Sequence, residues 1–528
     1  MEFLKQNILT LLIFLPIAGS LAVLCGRSPR ASRWTALGTT LAVFIVSIIS
    51  LLLFDFTKGS GYAYESDGGM IQLVKAVKWI PALNIEYRVG VDGLSLPLVI
   101  FTTFISFLVC ISAGNTPQPD KVRMALLLLL ESTVLGVFLS LDLFMFHVFF
   151  GLSLLPMYLL IGINRSDGRD VAALKFILYS LCGLVVLLIV MIGTYLDSRD
   201  IVPGGTFDLV KLASPSLQAS LDATLSAKPR FATLFFVLLM CGFCVRLAGI
   251  PFHSWLTSAH EAAPTPVSML ISALFLTTGG YGVLRVAYPL YPDAAKDLWW
   301  LVAIAGVVSI VYGALCAMSQ VDFKRLLAYS SISQTGLMLL GASMMNETAF
   351  NGAIFMLIAH GTLSAMLFFI AGIVRERADH QDINRLGGLS STMPVFTGIS
   401  TVAIFATLGL PGLCGFIGQV MVLLGSFQAA KGDSILIKAG ANPALIGTFA
   451  VIALLGSILT AGYMLWTFQR MFCGGRTEEC HHAKDVDAQE LSVLVPLVIV
   501  AILLGVLPAL LVFTMTDPTV AAMIDLFE

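Results

Sequence analysis

The chain has 528 residues, of which 58% are hydrophobic and only 12% charged, with a net charge of −2 and a mean hydropathy of +0.92. Globular domains carry about 25% charged residues, so 62 charges cannot cover a soluble protein of this size. A free cytosolic enzyme, a disordered tail and a nucleic-acid binder with a basic face are excluded, and a membrane protein remains.

A hydrocarbon core about 30 Å thick takes about 20 apolar residues per helix. The chain offers fourteen such stretches, beginning near Asn7, Trp34, Leu94, Val122, Leu143, Ala173, Phe231, Pro266, Leu298, Lys324, Ala349, Ser391, Ile446 and Leu491. The first has no small-residue cleavage site and reads as a retained span. The two longest connections, about Asp55–Gly93 and Asp197–Arg230, are too short for a catalytic domain and each reads as a hairpin or an amphipathic cover.

Fourteen spans put both termini on one side. Fifteen Lys and Arg residues fall on the opposite side, from Arg27 to Lys484, against four in the short loops on the terminal side. Basic loops stay cytoplasmic, so both termini are expected in the periplasm of a bacterial inner membrane.

Two spans carry an internal proline, Pro251 in the seventh and Pro411 in the twelfth. Proline inside a helix removes a hydrogen bond and clashes with the preceding turn, and such breaks survive at membrane depth only against protein or a wet cavity. They lie five spans apart. Five is odd, so a five-helix unit used twice enters the membrane inverted the second time. The expected architecture is an all-α polytopic membrane protein with two inverted five-helix repeats, each holding a broken helix. The expected units are 1–121 (spans 1–3 and an extracytoplasmic hairpin loop), 122–287 (spans 4–8), 298–472 (spans 9–13) and 473–528 (a cytoplasmic loop and span 14).

Ionisable groups inside spans are functional candidates by default. They are Glu131, Lys175, Arg246 and Arg285, with His147 and His360. Asp142 and the group Asp322, Lys324 and Arg325 sit at span ends and read as topology anchors. The nine cysteines are scattered and read as packing residues, Cys241 and Cys244 included. Cys473, Cys480, His481 and His482 cluster in one loop without regular zinc spacing, so no metal site is expected.

Several motifs carry a family resemblance. Residues 88–97 (RVGVDGLSLP), 135–138 (LGVF), 156–158 (PMY), 251–256 (PFHSWL), 263–268 (APTPVS), 322–331 (DFKRLLAYSS), 360–361 (HG) and 382–389 (DINRLGGL) are similar to the antiporter-like M subunits of the proton-pumping NADH:quinone oxidoreductase, respiratory complex I. The resemblance runs from about Arg88 to Phe427 and extends to the large subunits of Mrp-type cation/proton antiporters. It implies a chain without a cofactor of its own, set in the bilayer beside other membrane-arm subunits, including sister antiporter-like chains.

Such subunits resemble one another in a hydrophilic axis: a glutamate in helix 5, lysines in helices 7 and 8, a histidine in helix 10, and a glutamate or lysine in helix 12. Here those positions fall on Gly151, Arg246, Thr277, Gln334 and Gln419, whereas Lys175 and His360 match the family. Gly, Thr and Gln exchange no proton, and Arg keeps its own. His147, one turn before Gly151 on the same helix face, is a candidate for a relocated titratable group. The expected function is an M-type subunit taking part in redox-coupled proton translocation, with its own proton channel altered or silent. The alternatives are an Mrp-like antiporter subunit and a structural spacer.

Overall fold

In the computed structural model, the described residues are 2–26, 28–56, 61–114, 120–163, 168–214, 217, 229–432, 434–475, 477 and 483–527. Cys480, His481 and His482 of the candidate metal cluster lie outside them, as do Arg27, Arg165 and Arg476.

Twelve helices among the described residues are long and apolar enough to cross a membrane, and with Phe323–Ser343 and the shorter apolar helices they group into fourteen spans. Nine crossings are Glu2–Cys25, Pro29–Leu53, Ser95–Ala113, Lys121–Leu139, Arg169–Arg199, Trp299–Met318, Phe323–Ser343, Glu347–Ala378 and Pro443–Phe472. The eighth, Thr265–Leu290, is helical throughout. The remaining four are jointed: the fifth (Leu143–Leu152 and Leu154–Gly162), the seventh (Pro229–Leu247 and Ser254–Ala262), the twelfth (Pro394–Thr407 and Cys414–Ala429) and the fourteenth. The fourteenth runs over Ala488–Val506, turns at Leu507 and continues over Ala509–Phe527. Side-chain acceptors fix many of the starts. Asp120, Asp142, Asp322, Asn346 and Asn442 each accept from a backbone N–H in the first turn, and Asp487 forms a reciprocal capping box with Glu490.

The connection before the third span is a hairpin, as the sequence reading expects. β1 (Gln72–Ile80) pairs antiparallel with β2 (Ile85–Val91), with Ala76 opposite Arg88. Lys75 Nζ reaches Asn7 Oδ1 at 2.5 Å, so the hairpin lies over the start of the first span. At the other end of the chain, Lys296 Nζ bonds the Phe527 carbonyl and Thr519 Oγ1 accepts from Gly93 N–H. Both termini therefore share the hairpin side. In the second long connection, Asp208 caps the short helix Leu209–Leu212, accepts from Tyr64 at 2.5 Å and pairs with Arg88 at 2.8 Å, which ties the two covers together.

The eighth span is buried along its whole apolar length and the eleventh nearly so, while the second, sixth and thirteenth are mostly peripheral. Small residues permit the close approaches. A Cβ on Gly306 would lie 2.9 Å from the Gly336 carbonyl, so the ninth and tenth spans touch backbone to backbone.

Asp142 lies in the short connection between the fourth and fifth spans and accepts from the N–H groups of Phe144 and Met145. Burial pushes its carboxyl up to about 6, against those bonds and one from Glu86 N–H, with Asp208 adding to the rise. Between pH ~4 and that value the folded chain holds a proton there that the unfolded chain releases. Stability from this group is thus present at the acid end and lost as pH rises through the folded value. Asp142→Asn, which keeps the capping oxygen, is expected to flatten this loss, at most about 3 kcal/mol. Thermal midpoints of the detergent-solubilised chain between pH ~4 and ~7 check it.

Candidate functional site: the membrane axis

In the first half, the seventh span stops at Leu247, and the interruption over residues 248–253 precedes Ser254–Ala262. Ile250 N–H donates to Ser309 Oγ at 3.1 Å, and Trp255 Nε1 donates to the Val245 carbonyl at 2.8 Å, so neighbouring groups replace part of the lost helical ladder. Arg246, in the turn before the break, is buried. Its guanidinium carbon lies 4.2 Å from the ring centre of Phe150 and 3.4 Å from that of Phe275. Nε donates to Thr278 Oγ1 at 3.0 Å and one terminal nitrogen to Ser153 Oγ, while the other terminal nitrogen has no partner among the described residues. No carboxylate pairs with Arg246 among the described residues. Span 8 comes this close because residue 279 is glycine: a Cβ there would stand 2.7 Å from Leu247 N and 3.1 Å from Arg246 Cβ.

The other first-half positions stand apart from that guanidinium. Gly151 faces the sixth span, where a Cβ would meet Leu184 Cδ2 at 3.0 Å. His147 is half-buried and makes no bond to Arg246. Thr277 donates to the Ala273 carbonyl of its own helix at 2.6 Å. The segment of span 8 that carries it is bracketed by two π-helical turns, Ile271–Phe275 and Val283–Ala287, which the sequence reading did not find. Such turns recur at functional sites. Lys175 lies elsewhere, its amine 3.2 Å from Ser258 Oγ.

In the second half the twelfth span breaks over residues 408–413, with Gly409 and Gly412 at φ of 90° and 89°, a region closed to most side chains. Gln419 Nε2 donates to the Thr407 carbonyl at 3.1 Å and so satisfies the end of the first half-helix. Gln334, His360 and Gln419, three positions far apart in sequence, line one cavity of ≈ 20 Å³ with Ser330, Ser331 and Ser364. That is room for about one water. Gln334 Nε2 and His360 Nε2 have no hydrogen-bond partner among the described residues.

The sequence reading passed over His260 and set Lys324 apart from the axis. His260 is fully buried, stacks on Phe368 with ring centres 4.1 Å apart, and has no partner on either nitrogen among the described residues. A histidine in the short half-helix just after a proline break was the available signal. Lys324, read as a topology anchor, is buried, bonds the Ala263 carbonyl at 2.6 Å and lines a larger cavity of ≈ 340 Å³ with Arg123, Arg375, Glu376 and Glu490. Lys324 and the cavity-lining Ser331 and Gln334 lie on the same helix, the tenth span. Arg285 also has a different role from the axis: it pairs with Asp92 at 2.5 Å, both side chains without exposure. Glu131 is buried with neither carboxylate oxygen bonded among the described residues.

The comparisons with known proteins agree with this architecture. Residues 140–442 match the family described as "NADH:quinone oxidoreductase/Mrp antiporter, TM". NADH-quinone oxidoreductase subunit M of Rhodobacter capsulatus is 35% identical, covering 98% of this chain and 97% of that protein, and the Rickettsia prowazekii protein of the same name is 32% identical over 96% of each. Among solved structures, a chain of respiratory complex I from Thermus thermophilus superposes with a TM-score of 0.82 at 26% identity, covering 98% of this chain and 100% of that one. A chain of the Mrp complex from Dietzia sp. superposes at 0.81 with 19% identity over 99% and 98%, which shows a shared fold. The chain thus belongs to the NADH:quinone oxidoreductase/Mrp antiporter transmembrane family, as an M-type, antiporter-like membrane subunit.

Proposed function

We propose that this chain is the M-type subunit of a respiratory NADH:quinone oxidoreductase, held in the membrane arm beside sister antiporter-like chains, and that its own proton channel is altered or silent. The chain itself carries no redox cofactor in this reading and performs no redox chemistry; it occupies a place in the proton-translocating arm. Both termini face the periplasm, on the Lys and Arg bias of the loops. Spans 4–8 and 9–13 form the two inverted units.

The observation that carries the silent-channel reading is the setting of Arg246. A guanidinium keeps its proton at any accessible pH. Two aromatic faces and hydroxyl partners hold the charge in place without an acid to exchange with. The second half supports the same reading, because Gln334 and Gln419, which line its cavity, take up no proton. Identity of 35% along the whole chain to a subunit M favours this assignment over an Mrp-like antiporter. The missing titratable groups favour a spacer-like contribution over an autonomous pump.

His147→Ala and Gln419→Ala in the assembled complex test the reading. Both are expected to leave the number of protons moved per electron pair unchanged, with Gln419→Ala lowering thermal stability by about 1–3 kcal/mol through the unsatisfied Thr407 carbonyl. A fall in proton number for His147→Ala would show a relocated relay and overturn the silent channel.

A further inference from the structure

On the side away from the hairpin and the termini, the ends of the third, fourth, eighth, tenth, eleventh and fourteenth spans enclose the cavity of ≈ 340 Å³. Three cations line it, Arg123, Lys324 and Arg375. Arg375 is exposed at the mouth, Arg123 is half-buried, and Lys324 is only 4% exposed. None of the three pairs with a carboxylate among the described residues. Their hydrogen bonds are incomplete as well. An ammonium has three donors, and Lys324 Nζ directs one to the Ala263 carbonyl with no second acceptor among the described residues. Arg123 Nε is buried with no partner among them.

The acids of the cavity are engaged elsewhere. Glu490 accepts from Arg377 with both oxygens, at 2.7 and 2.9 Å, and from Asp487 N–H at 2.9 Å. Glu376 lies 3.7 Å from the same guanidinium. Asp379 is exposed at the mouth, where water and salt screen it. Behind the wall, Glu261 pairs with Arg325 at 3.2 Å and Asp322 accepts from Arg325 N–H. The eighth span begins in this wall at Thr265 without a side-chain cap, and its dipole adds to the positive field. The deep part of the cavity therefore holds positive charge without a counter-charge, which is costly away from bulk water.

We propose that this cavity is a binding site for a phosphate-class oxyanion, held by Arg123 and Lys324 with Arg375 at the entrance. A tetrahedral oxyanion offers acceptors in several directions, so it can take the free ammonium donors and the guanidinium Nε together, in charge-assisted bonds. The cavity has room for the ion and its remaining waters. The ion is either free phosphate or the headgroup of a phospholipid, since the site lies where the spans end. Once bound, it joins the fourth span to the tenth and eleventh at one end of the molecule.

The test uses the full chain purified in detergent. Native mass spectrometry before and after stripping of lipid reads a retained phospholipid, and thermal midpoints in phosphate against chloride at equal ionic strength read the free ion. The expected result is a single retained phospholipid or, for the stripped chain, a midpoint that rises with phosphate and not with chloride. The first identifies the headgroup as the source and the second the free ion. Lys324→Gln and Arg123→Gln are each expected to weaken binding by about tenfold, whereas Arg325→Gln, outside the cavity, leaves it unchanged. Midpoints in chloride show which variants are folded, and either of the first two suffices. The proposal is overturned if the chain neither retains a phospholipid nor responds to phosphate, if the folded cavity variants bind as the parent does, or if Arg325→Gln weakens binding equally.

Discussion

Gly151→Glu together with Arg246→Lys, Thr277→Lys and Gln419→Glu is expected to raise the number of protons moved per electron pair by the assembled complex, because the four changes return exchangeable groups to the axis. The structure grades their difficulty. A side chain at 151 has to displace only Leu184 Cδ2, the end of a flexible side chain at 3.0 Å. Lysine at 246 gives up the fork that bonds Thr278 and Ser153 but becomes able to release its proton. Lysine at 277 enters a buried position against the Ala273 carbonyl, and overpacking there costs about 1–3 kcal/mol. Glutamate at 419 loses the amide that satisfies the Thr407 carbonyl, a further loss of about 1–3 kcal/mol. Acidification per electron pair, measured only on preparations shown to be fully assembled, decides the matter. An unchanged ratio rejects the idea that these four positions silence the channel.

Arg285→Met is expected to destabilise the chain by about 3–5 kcal/mol, since it leaves the Asp92 carboxylate buried and unpaired. Asp92→Asn keeps the oxygen that accepts from Leu94 and Ser95 N–H, so it removes the charge and not the cap of the third span. The double substitution Asp92→Asn with Arg285→Met is expected to recover much of the loss, because no ion is then stranded. Thermal unfolding of the four proteins in detergent gives the cycle. A double variant as unstable as the sum of the singles means that the pair is not coupled and that each residue acts through its other contacts.

The Asp92–Arg285 pair illustrates how little of a buried network is legible in a linear chain. Asp92 belongs to one recognisable motif and Arg285 to the eighth span, 193 positions later. The sequence marked Arg285 as a charge at membrane depth and gave no partner for it. Likewise, Gln334, His360 and Gln419 are separate substitutions along the chain, and only the packing of the tenth, eleventh and twelfth spans makes them walls of one cavity. Gly151 is a third case: its place in the fifth span is read from the chain, but its neighbour, Leu184 of the sixth span, comes from packing alone.

Membrane residence, the fourteen crossings, the hairpin cover and the two broken helices follow from the sequence alone. The reason is that lipid imposes a local rule: each crossing needs its own apolar length and its own backbone hydrogen bonds. Whether a polar side chain inside those crossings meets an acid, a ring face, a carbonyl or a cavity is not a local property. The tertiary structure decided that Arg246 sits between two phenylalanines, that Gln419 caps a half-helix, that His260 is buried against Phe368, and that Lys175 meets Ser258. Each of those contacts depends on how helices distant in sequence rotate and pack, because side-chain partners at membrane depth come from neighbouring helices and not from neighbouring residues.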